Sequence, residues 1–168
     1  MRVPRKTDCV TTANSEHCRT ELRESDPRSW DPKSSINRLV VQLAVTKPDD
    51  SQYGTVIGQI KVDDAISKKP VVELFYAQDG TIRLGVSQTP GVSSLKWMTV
   101  GHVAVGAKFE YELRYDYGRL SLRIGDSEER VIGTGKVGDP RCYFKVGNYN
   151  QGESASEVRF YKIDVHHG

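Results

Sequence analysis

The segment YFKVGNYNQ at residues 143–151 is where the fold of this chain first becomes legible. In an extended strand, successive side chains point to opposite faces. Tyr143, Lys145, Gly147, Tyr149 and Gln151 then share one face, and Phe144, Val146 and Asn148 share the other. The second face is apolar except at Asn148, as the inner side of a sheet requires. The first carries two phenols, an ammonium and an amide around a glycine. Such a face suits either solvent or a polar, anionic molecule lying across it.

The same alternation recurs on both sides of this segment. INRLVVQLAVTK (36–47) sets Leu39, Val41, Leu43 and Val45 on one face, which makes it a core strand. TVIGQIKV (55–62) sets Val56, Gly58, Ile60 and Val62 against Ile57, Gln59 and Lys61, so Gln59 and Lys61 stand side by side; by themselves they read as a solvent face. PVVELFYA and TIRLGVS flank a QDG turn and predict a hairpin. WMTVGHVAV, KFEYELRYD, RLSLRIG, RVIGTG and EVRFYKIDVH continue the series.

Near the start, CRTELRE places Arg19, Glu21 and Arg23 on one side. Two guanidinium forks held by a glutamate can grip carboxylates, or simply guard an edge strand against pairing. SDPRSWDPKSS, with two prolines, reads as a loop, and DDAISKK (63–69) is the best candidate for a short helix. Many short strands separated by Gly, Pro and Asp indicate an all-β fold, an antiparallel β-sandwich or jelly roll. With no internal repeat or linker, residues 1–168 read as a single domain whose first 15 residues are irregular.

Composition narrows the function. The net charge is +2, from 24 basic and 22 acidic residues, so a polyanion would have to be held by a local cluster of cations. Nothing points to nucleic acid, and no apolar run approaches the roughly 18 residues of a membrane helix. Cys9 and Cys18 bracket a turn-rich segment that a disulfide would clip, as in a secreted protein; three free thiols in a cytosolic protein is the other reading. MRVPRKTDCV has a basic start with no apolar core after it, so no signal peptide is legible and the chain reads as trimmed or partial. The pairs Asp49–Asp50 and Asp63–Asp64 read as turn formers without the alternation of a calcium loop, and no metal is expected. His17 lies near the RTELR string, while His166 and His167 read as a solvated tail.

Taken together and in order, RTELR (19–23), QIK (59–61) and YFKVGNY (143–149) resemble the three signature regions of the alginate lyases of polysaccharide lyase family 7. Those regions read R-S/T-E-L-R, Q-I/V-H and Y-F-K-A-G-x-Y-x-Q. Val146 stands for the usual alanine, and Lys61 stands where the pattern has a histidine. The WDP and NRL signals after the first string extend the likeness.

The resemblance implies a jelly roll whose concave sheet forms a cleft for an acidic polysaccharide, and a β-elimination that needs no cofactor. Arg19 and Gln59 would neutralise the substrate carboxylate, Lys61 would join them, and Tyr149 would act as acid and base. Arg23 and Lys145 would bind flanking carboxylates, Glu21 would orient the arginines, and Tyr143 and Gln151 would make hydroxyl or ring contacts. Nearby cations are expected to lower the pKa of Tyr149 and give a neutral to alkaline optimum. The family has further strands before its first signature, so this jelly roll is expected either to lack one or two strands or to close its sheet differently. A secreted monomer acting on mannuronate-rich alginate is the leading expectation. A glucuronan lyase, and a non-catalytic polysaccharide-binding jelly roll, are the alternatives.

Overall fold

The computed structural model describes residues 1–11 and 15–168; Thr12, Ala13 and Asn14, within the stretch expected to be irregular, lie outside the described residues. The fold is built around β3 (Asn37–Lys47), whose Leu39, Val41, Leu43 and Val45 are wholly buried as their alternation predicts. Its antiparallel neighbours are β8 (Lys108–Asp116) and β12 (Ser156–His167). β9 (Arg119–Ile124) and β10 (Arg130–Ile132) extend one side of this sheet, and β1 (Arg2–Val3) closes the other. A second antiparallel sheet runs β2 (Arg19–Arg23), β11 (Cys142–Tyr149), β4 (Thr55–Val62), β5 (Pro70–Tyr76), β6 (Thr81–Ser87) and β7 (Leu95–His102). The core lies between the sheets, where the β3 side chains meet Ile57, Ile60, Leu74, Leu84 and Phe144. This is the expected jelly roll.

Several local expectations change. The opening residues are not wholly irregular: Arg2 and Val3 pair with Glu157 and Ser156, and Lys6–Asp8 form one turn of 3-10 helix. DDAISKK is a turn, not a helix. The Asp63 carboxylate accepts from the Ala65 amide at 3.0 Å, and the Asp63 carbonyl accepts from Ile66 and Ser67, which ties the backbone into a local loop. Ile57 belongs to the core rather than to the face of Gln59 and Lys61. The pairing of β4 with β5 shifts between Val56 and Gly58, a bulge that re-aims Ile57 inward while its carbonyl accepts from the Tyr111 hydroxyl at 2.9 Å.

His167 is not a solvated tail residue. Its ring bonds to Glu24 on one side and, at 2.8 Å, to Asn37 on the other. Glu24, 4% exposed, also accepts from the Trp30 indole at 2.8 Å and from the Phe144 amide at 2.9 Å. This junction ties the loop after β2 to the central strands of both sheets. Removing the carboxylate leaves buried donors unpaired, so Glu24→Ala is expected to cost about 2 kcal/mol or more in urea denaturation.

Among the described residues no helix is long and apolar enough to cross a membrane. Cys9 and Cys18 form the disulfide, with Cα atoms 6.2 Å apart, and Cys142 is a buried free thiol.

Candidate active site

The three separated strings end on three adjacent strands. Arg19 pairs with Tyr149, Glu21 with Gly147 and Arg23 with Lys145 across β2 and β11; on the other side Lys145 pairs with Gln59 and Tyr143 with Lys61. Alternation then sends all of these side chains except Gly147 to the outer, concave face. A Cβ on Gly147 would come within 2.3 Å of the Thr20 carbonyl, so glycine is what allows β2 to lie this close to β11.

The resulting cleft has a volume of about 980 Å³. Six cations line it, Arg19, Arg23, Lys61, Lys68, Lys69 and Lys145, against three carboxylates, Glu21, Asp64 and Glu73. The local surplus that composition demanded of a polyanion site is therefore present in a chain that is nearly neutral as a whole.

Glu21 is the hub of the floor. Its side chain is 5% exposed; one carboxylate oxygen accepts from the Gln59 amide, and the other accepts from Lys145 at 2.8 Å and lies 3.9 Å from Arg19. Glu21 was expected to orient both arginines; of the two, only Arg19 lies beside it. Arg23 is held instead by Asp64 at 2.6 Å and lies over the Tyr143 ring, 3.9 Å from its centroid. The Tyr143 hydroxyl donates to the same Asp64 at 3.1 Å. Asp64, read from sequence as a turn former, does both jobs because the turn after β4 folds back over the strand ends.

Tyr149 sits with the Arg19 guanidinium 5.1 Å from its ring centroid and with His17 edge-on at 6.3 Å. Its pKa is raised, not lowered as expected from its cationic neighbours. Burial is the largest cause and outweighs the charge of Arg19, while Glu73 raises it further and hydrogen bonds with Ser15 and Gln151 pull the other way. Gln151 does not line the cleft; it lies just past β11, where its backbone amide donates to Asp49 and its side chain reaches Tyr149. Burial lowers the pKa of Lys61, Glu73 opposes this, and the Lys61 ammonium donates to the Lys68 carbonyl.

Glu73 was missed in the sequence. It faces Gln59 across β4 and β5, lines the cleft, and is pushed up to about 7 by burial, with Glu21 adding to the rise and Lys61 resisting it. The available signal was a lone acid inside the otherwise apolar PVVELFYA strand.

The alginate lyase family model matches residues 1–167. The chain belongs to the alginate lyase family. Among solved structures it is similar to alginate lyase PA1167 of Pseudomonas aeruginosa, at 27% identity and a TM-score of 0.76 over 94% of this chain and 78% of that one. It is similar to a variant of family 7 alginate lyase A1-II′ in complex with substrate (GGMG), at 25% identity and a TM-score of 0.78 over 94% and 73%. The exolytic family 7 alginate lyase AlyA5 of Zobellia galactanivorans shares the fold at 18% identity, with a TM-score of 0.75 over 99% and 83%. No curated protein matches the chain. The two antiparallel sheets of this family member are the β-jelly roll of polysaccharide lyase family 7.

Proposed function

We propose that this chain is a secreted, monomeric lyase that cleaves mannuronate-rich alginate by β-elimination and leaves a 4,5-unsaturated uronate at the new end. Family and fold support polysaccharide lyase activity on alginate. The substrate-bound A1-II′ structure supports the same class of ligand here, and the Cys9–Cys18 disulfide suits an oxidising compartment. The finer reading rests on one observation: Arg19 and Tyr149, from opposite ends of the chain, meet in the cationic cleft within 5.1 Å, beside Gln59 and Lys61.

The elimination makes three demands: taking the C5 proton, stabilising charge on the adjacent carboxylate, and protonating the departing O4. Arg19, Gln59 and Lys61 meet the second, because donors aimed at the carboxylate stabilise the enolate-like transition state more than the ground state. The Gln59 amide has two N–H groups and only one is needed by Glu21, which leaves the other for substrate. Arg23 and Lys145 hold carboxylates of flanking sugars, with the Tyr143 ring as the surface under Arg23. Tyr149 supplies the proton transfers. In mannuronate the C5 hydrogen and O4 lie on one side of the ring, so one phenolic group can take the first proton and return one to O4.

The direction of the Tyr149 shift gives this reading a testable pH dependence. A phenol held above its ordinary value is a ready donor but a scarce phenolate at neutral pH. If the phenolate takes the C5 proton, the rate on mannuronate blocks climbs with pH from neutral into the alkaline range. The ultraviolet absorbance of the conjugated product, followed across pH, tests this; a rate that peaks in acid contradicts it. Glucuronan presents the same stereochemistry and is tested beside alginate. A protein that only binds polysaccharide gives no absorbance change at all.

A further inference from the structure

Glu73 is out of place in a cleft built for a polyanion. The other two carboxylates there are consumed, Glu21 by Gln59, Lys145 and Arg19, and Asp64 by Arg23, Tyr143 and Lys68. Among the described residues Glu73 accepts no hydrogen bond and joins no ion pair within 4 Å, yet it lines the cleft. A carboxylate left in that state is costly unless it is used, since it repels the very ligand its neighbours attract.

Its surroundings suit a base. On the β6 side it pairs with Gly85, over which Leu95, Phe75 and Trp97 close, all within 3.3 Å of where a Cβ would stand. That apolar wall disfavours the charged carboxylate and accounts for the direction of its shift. The charged and titratable groups around it are Lys61 from β4, Lys69 from the turn before β5, Lys145 and Tyr149 from β11, and Glu21 from β2; β6 places Gly85 opposite it and Arg83, whose guanidinium donates to the Gln52 carbonyl, one pair further along the same face. Glu73 faces Gln59, and Gln59 faces Lys145; Tyr149 lies further along β11, opposite Val56 and, beyond it, Phe75, so its backbone is two strands across and two residues along from Glu73, roughly 12 Å away. That is room for a sugar ring with one group on either side.

We propose that Glu73 is a second proton acceptor, which lets the same cleft cleave guluronate, where the C5 hydrogen and O4 lie on opposite faces of the ring. The proposal rests on the lyase reading above. In the step, the Glu73 carboxylate takes the C5 proton. The C5–H electron pair becomes the C4–C5 double bond as the C4–O4 bond breaks, and the Tyr149 hydroxyl protonates O4. Solvent then carries the proton from Glu73 back to the Tyr149 phenolate, so the site is restored with no oxidant or co-reactant.

The test compares the wild-type chain with Glu73→Gln on mannuronate blocks and guluronate blocks, read by product absorbance. The guluronate-to-mannuronate rate ratio is expected to fall about 10²-fold in the variant, the size of a lost general base. The wild-type guluronate rate should also fall as pH drops through about 7, because the carboxylate must be ionised to accept a proton. In Lys61→Met that fall should move to higher pH, since Lys61 is the charge that holds the Glu73 value down. An unchanged ratio in Glu73→Gln, or a wild-type chain active on mannuronate and inert on guluronate, overturns the role of Glu73 and leaves the lyase reading standing. Absence of product from both polymers overturns the lyase reading and this proposal together.

Discussion

Tyr149→Phe is expected to lower the rate of alginate cleavage by about 10²–10⁴-fold while leaving polysaccharide binding nearly intact. The substitution removes one oxygen from a ring whose position is fixed by other contacts, namely Arg19 over its face and His17 at its edge. The cations that grip the substrate carboxylates are untouched. The expected loss is therefore in kcat, with KM little moved, as for an interaction made in the transition state. Steady-state kinetics on mannuronate blocks, with calorimetric binding of the same oligomers to the variant, separates the two. A comparable loss of binding would mean that the hydroxyl holds substrate rather than moving a proton.

Glu21→Ala is expected to have the other large effect, on stability as well as on rate. The side chains of Glu21 and Lys145 are 5% and 16% exposed, so removing the carboxylate strands a largely buried ammonium at 2.8 Å from its lost partner. Breaking such a pair from one side costs about 3–5 kcal/mol. Gln59 loses its acceptor at the same time and Arg19 its counter-charge. Urea denaturation should show the loss, and the surviving folded protein should show a raised KM because three substrate-facing groups have lost their common anchor. Glu21→Gln keeps the shape and an acceptor for Gln59 and should recover part of the stability. If Glu21→Ala melts like the wild type, the hub is not a hub.

Much of this architecture was open to reading because it rests on period-two alternation. The face carrying Tyr143, Lys145, Gly147 and Tyr149, and the face carrying Arg19, Glu21 and Arg23, are set by strand geometry alone, and the structure lays them side by side. What alternation does not encode is a change of register. The bulge that turns Ile57 inward depends on how β4 meets two different neighbours, which no single strand reveals. The turn after β4 was misread for a similar reason: DDAISKK has helical composition, but Asp63 captures three nearby amides and Asp64 is then placed to hold Arg23 and Tyr143.

Two electrostatic expectations failed or were missing because they depend on burial. Counting cations near Tyr149 suggested a lowered pKa, whereas the loss of solvent around the phenol outweighs Arg19. Glu73 drew no notice in sequence because the charges around it lie mostly on other strands; its significance lies in what is not bonded to it. His167 likewise gained its role from Glu24 and Asn37, far away along the chain.

The most direct test mixes the wild-type protein in parallel with mannuronate blocks, guluronate blocks and glucuronan and follows ultraviolet absorbance with time. The account predicts conjugated product from all three that carry a removable C5 hydrogen within reach of Tyr149 or Glu73, fastest from mannuronate. A protein that binds these polymers and yields no unsaturated ends from any of them would contradict it.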